Sequence, residues 1–89
     1  MTEKVQVEYK GLIATIIINE AFQEVLDHMR TPEGKDKMLS VMAAIEKTGE
    51  KVRAGEEITE KERQNLADDL GIYYAYELSE GRGQGAKIQ

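Results

Sequence analysis

The chain has 89 residues, enough for one folding unit with an adequate but small core, to which association with further copies is a natural supplement. Seventeen Asp and Glu outweigh twelve Lys and Arg to give a net charge of -5, which argues against binding nucleic acid or an anionic membrane through bulk charge. There is no cysteine, hence no disulfide framework, thiolate metal site or cysteine nucleophile. The longest apolar run, Leu12 to Ile18, is too short for a membrane span and lacks the basic leader of a signal peptide, so a cytoplasmic protein is expected.

Residues Val5 to Ile18 hold two alternating apolar runs around a Lys10-Gly11 step. Read as a β-hairpin with a two-residue loop, they pair Tyr9 with Leu12, Val7 with Ala14 and Val5 with Ile16, and those side chains share one face. The other face carries Lys4, Gln6 and Glu8 on the first strand but Ile13, Thr15 and Ile17 on the second, which is thus apolar on both sides. A helical reading competes, because Val5, Tyr9, Leu12, Ile13 and Ile16 also cluster on a 3.6-residue wheel. It fails further on, where Ile18, Phe22, Val25, Leu26 and Met29 point to nearly the opposite side. The β-branched density of Leu12 to Ile18 also favours a strand. The expected fold is α+β, an N-terminal hairpin followed by three helices, with an all-α bundle as the alternative.

Asn19 is placed to cap a helix beginning at Glu20 and running to about Arg30, with Phe22, Val25, Leu26 and Met29 at helical spacing. Thr31-Pro32-Glu33-Gly34 then reads as a breaker and turn. Met38, Met42, Ile45, Gly49 and Val52 recur at steps of four and three, the seam of a second helix that ends near Ala54-Gly55. Within that seam Gly49 either costs about 1 kcal/mol of helix stability or permits a close backbone approach. Thr59-Glu60-Lys61-Glu62 matches a capping box that opens a third helix, whose apolar stripe is Leu66, Ala67, Leu70, Tyr73, Tyr74 and Leu78. Gly81 falls where a C-terminal cap belongs. Residues 1–80 form a single compact domain in this reading, and 81–89, polar and glycine-rich, form a flexible tail.

Chemistry-bearing constellations are sparse. His28, the one histidine, lies a helical turn after Glu24, but two ligands do not make a metal site, and a surface ion pair is the expectation. Glu56-Glu57 and Asp68-Asp69 are adjacent carboxylates that diverge in space, and Ser40 and Ser79 have no base at an activating spacing, so no catalytic residue, metal or cofactor is assigned. Gly81-Arg82-Gly83-Gln84-Gly85 has the glycine content of a phosphate-cradling loop but follows a helix instead of opening one.

A short N-terminal strand followed by helices is similar in outline to ribbon-helix-helix DNA-binding proteins. Lys4, Gln6 and Glu8 would then be the reading face, and the run Leu12 to Ile18 has no place in such a fold, so membership is not assigned.

The functional expectation is a non-enzymatic protein that self-associates, as a dimer, and binds an unidentified protein partner as inhibitor, adaptor or scaffold. Its interface candidates are Ile13, Thr15, Ile17, Tyr73, Tyr74 and Tyr76. The alternative is a nucleic-acid or small-nucleotide binder that stacks bases on Tyr74 and Tyr76 beside Arg82 and Lys87.

Overall fold

The computed structural model describes residues 3–81 together with the backbone of 87–88. Strands β1 (Glu3–Tyr9) and β2 (Leu12–Ile18) form an antiparallel hairpin in the expected register, Tyr9 opposite Leu12, Val7 opposite Ala14 and Val5 opposite Ile16. Lys10 and Gly11 close it with φ of 48° and 86°, the positive values that match a tight two-residue turn to the twist of its strands. A lysine in that region costs about 1–2 kcal/mol. Burial of the hairpin's inner residues Val5, Val7, Leu12 and Ile16, at about 1.5–3 kcal/mol for each fully buried side chain, outweighs it.

Helix α1 (Glu20–Met29) starts where Asn19 Oδ1 accepts the Phe22 N–H at 3.0 Å, and it buries Phe22, Leu26 and Met29. The Thr31–Gly34 segment was expected as a turn, but it opens a one-turn helix, α2 (Pro32–Asp36). Proline breaks a helix from the interior yet suits its first position, where the missing N–H has no partner to lose. The Thr31 hydroxyl accepts the Gly34 N–H and donates to the His28 carbonyl, joining α1 to α2. After Lys37 the chain enters α3 (Met38–Arg53), which buries Met38, Ile45 and Gly49. Val52, expected in the seam, is instead 39% exposed at the mouth of a cleft beside Leu12 and Ile13. Leu39, which flanks the seam, faces solvent.

Helix α4 (Glu60–Ser79) begins at the capping box: Thr59 Oγ1 accepts the Glu62 N–H at 3.1 Å while Glu62 Oε1 accepts the Thr59 N–H at 3.0 Å. Its Leu70, Tyr74 and Ala75 lie against the hairpin, between α1 and α3. One core cluster joins Val5, Val7 and Ile16 to Phe22, Leu26, Met29, Met38, Tyr74 and Ala75; a second joins Leu12, Ile45 and Leu70. Strand β3 (Lys87–Ile88) pairs antiparallel with β1 at Val5 and Gln6, so the sheet order is β2-β1-β3. This short strand falls within 81–89, which the sequence reads as a flexible tail; its main-chain pairing is described. Residues 82–86 and 89 lie outside the described residues.

Three helical glycines meet different surroundings. A Cβ on Gly34 would lie 2.1 Å from the His28 carbonyl oxygen, one on Gly49 would lie 2.8 Å from Leu12 Cδ1, and one on Gly71 would lie 3.6 Å from Ile16 Cδ1. Gly49 thus takes the close-approach role left open by the sequence. Gly34→Ala must separate α1 from α2 and should destabilise by about 1–3 kcal/mol. Gly71→Ala meets ordinary contact and removes a flexible residue from a helix interior, so it should stabilise by about 0.5–1 kcal/mol. Urea denaturation of both variants checks the opposite signs.

Candidate functional site

The hairpin's two faces have different fates. Its inner face is buried, whereas on the outer face Ile13 is 62% exposed, Ile17 is 50% exposed, and Thr15 between them is exposed as well. These three expected interface residues fall together on β2, which forms one edge of the sheet. Two clefts flank that strand. One, of about 650 Å³, opens beside Leu12 and Ile13 and is walled by Val52, Ile58 and Leu66; the other, of about 430 Å³, opens beside Thr15 and Ile17 and is walled by Ala67 and Gly71 of α4.

The tyrosines lie elsewhere. Tyr74 is 9% exposed, its ring 5.8 Å from that of Phe22, and burial, with the Glu3 carboxylate second, pushes its phenol above the usual range. Little of that ring is left for a base to stack on. Tyr73 meets Tyr9 edge-on at 4.9 Å, and Tyr76 is half-buried against the first core cluster. All three therefore sit on the helix side of the sheet, away from Ile13, Thr15 and Ile17. Arg82 lies outside the described residues, and Lys87 is described only through its backbone pairing with Gln6.

A polar cluster that the sequence does not reveal anchors the hairpin turn to α3. Glu46 Oε1 accepts the Tyr9 hydroxyl at 2.6 Å and Lys10 Nζ at 2.9 Å, and Arg53 donates to the Lys10 carbonyl at 3.3 Å. The Tyr9 hydroxyl bond, then Lys10, hold the Glu46 carboxyl below its ordinary value; the same carboxylate raises both Tyr9 and Lys10. The partners are separated by 36 to 43 residues, beyond the reach of any local pattern. Such half-exposed pairs contribute only about 0–1 kcal/mol each, so their main effect is to orient the turn.

Other candidates are structural in their surroundings. Glu62 serves the capping box through one oxygen and Lys51 through the other at 3.0 Å, and the Thr59 N–H, then Lys51, hold its carboxyl low. Asp69 is raised, by burial first and by Asp68 second, while Asp68 accepts from Gln64. The Ser79 hydroxyl donates to the Tyr76 carbonyl. Glu24 and His28 line a mostly apolar cleft of about 320 Å³ between α1 and α3 without an ion pair; His28 Nε2 is buried with no hydrogen-bond partner among the described residues. No group of three or more potential metal-binding side chains, and no helix long and apolar enough to cross a membrane, occurs among the described residues.

These environments predict a pH response. Glu46 and Glu62 are depressed on folding, so their contribution is full above the unfolded value near 4.5 and is lost as pH falls through the lower folded values. Asp69 is raised, so it opposes folding once ionised and that penalty is relieved in acid. Carboxyl-carbon NMR titration should place the Glu46 and Glu62 midpoints below, and the Asp69 midpoint above, those of the unfolded chain.

No family model, characterised protein or solved structure matches this chain, so its function is argued from the geometry alone.

Proposed function

We propose that this protein acts by contact and not by catalysis: it self-associates through the outer face of β2 and engages a second protein as an inhibitor, adaptor or scaffold. One observation carries the reading. Ile13 and Ile17 stand exposed on an edge strand that has neither a charge nor a proline in its seven residues, and a protein keeps such a strand soluble by covering it. The clefts on either side of β2 extend the surface that a partner would bury.

Light scattering at micromolar concentration should give the mass of a dimer, and Ile17→Asp should give a monomer. Because Ile17 is half-exposed, the substitution should change folding stability by no more than about 0.5 kcal/mol. A monomeric wild type, or a variant that stays dimeric, would overturn the reading.

A further inference from the structure

We infer that the second copy docks edge to edge, its β2 antiparallel to this β2 about a two-fold axis through Thr15, so that one sheet runs through both molecules. The inference rests on the self-association proposed above and specifies its geometry.

The main chain of β2 has one open side. In an antiparallel pair alternate residues turn their N–H and C=O toward the partner strand and away from it. Tyr9 and Leu12 flank the two-residue loop as a hydrogen-bonded pair, so Leu12, Ala14, Ile16 and Ile18 face β1, while Ile13, Thr15 and Ile17 turn their main-chain groups to the free side. The pairing of β3 with Gln6, the residue opposite Thr15, follows the same alternation on the other edge. Among the described residues no main-chain group of Leu12 to Ile18 takes a backbone bond outside the hairpin. The residues with unpaired main-chain groups are therefore the same three whose side chains are exposed.

Symmetry then fixes the register. A two-fold interface must present one patch to itself, with each residue i meeting j and each j meeting i. Ile13, Thr15 and Ile17 read the same in both directions, so rotation about Thr15 sets Ile13 against Ile17 of the second copy and Thr15 against its own equivalent. Just beyond the strand, the same register turns Lys10, which also holds Glu46, toward Glu20 of the second copy, so opposite charges face each other at both ends. Shifting the axis to Ile16 sets Thr15 against Ile17 and Ile13 against Asn19, and it loses both matches. On the helix side, the cleft of about 430 Å³ beside Thr15 and Ile17, lined on α4 by Gln64, Ala67, Asp68 and Gly71, opens at the same edge.

The cysteine-free chain makes the test clean. Thr15→Cys puts a lone thiol on the axis, where hydrogen-bonded opposite residues have Cα atoms about 5.5 Å apart, inside the range of about 4.4–6.8 Å that a disulfide spans. Under mild oxidation this variant should convert to a covalent dimer. Neither Ile13→Cys nor Ile17→Cys alone should do so, because like positions are then about 14 Å apart, yet the two mixed should cross-link to each other. If light scattering gives a dimer but Thr15→Cys does not cross-link, the edge geometry is wrong and self-association stands. If Ile13→Cys cross-links to itself as readily as Thr15→Cys, the sheets stack face to face and the inference falls. A monomeric wild type removes both readings.

Discussion

The two-residue turn at Lys10-Gly11 decides the rest of the molecule. Side chains alternate along a strand, so a slip of one residue would exchange the faces and carry Leu12 and Ile16 out of the core. The turn prevents the slip, and the structure secures the turn from outside through Glu46 and Arg53 on α3. With the register fixed, four apolar side chains of the hairpin meet the helices, and Ile13, Thr15 and Ile17 have no choice but to face outward. The exposed face is thus a consequence of the same constraint that builds the core.

Helix α4 is the element around which the others are arranged, lying against the hairpin with α1 on one side and α3 on the other. Its start is tied to the end of α3 by one carboxylate, since Glu62 completes the capping box and also holds Lys51. Near its end, Lys35 of α2 reaches Glu80 at 3.1 Å. These surface pairs are individually weak, so the position of α4 rests on the burial of Leu70, Tyr74 and Ala75.

Local signals were legible in the sequence and distant ones were not. The hairpin register follows from the alternation around Lys10-Gly11, the start of α1 from Asn19, and the start of α4 from the spacing of Thr59 and Glu62; each is decided within a few residues of chain. Pro32 carries two opposed local meanings, breaker and first residue of a helix; the Thr31 cap just before it favours the second, and the close packing of Gly34 on the His28 carbonyl suits it. Tyr73, Tyr74 and Tyr76 look alike as aromatics at a surface, but their burial is set by Tyr9, Phe22 and the sheet, which the sequence leaves distant. Glu46 is an ordinary helix glutamate until the fold brings Tyr9 and Lys10 to it. Of the outward face, the residue list was readable in advance; that β2 is a sheet edge depended on whether β3 would pair with β1 or with β2.

The order of the chain gives the hairpin a hazard of its own. The strand that ends at Ile18 leaves the ribosome well before α4, which completes the cover of its inner face and ends only at Ser79, about sixty residues later. At typical elongation rates of roughly 5–20 residues per second, Leu12 to Ile18 spends roughly 3–12 s without the α4 residues that complete the cover of its inner face. Nascent chains on one message carry this adhesive segment at the same time, so translation rate and chaperone access bear on the yield of folded protein before any property of the finished structure does.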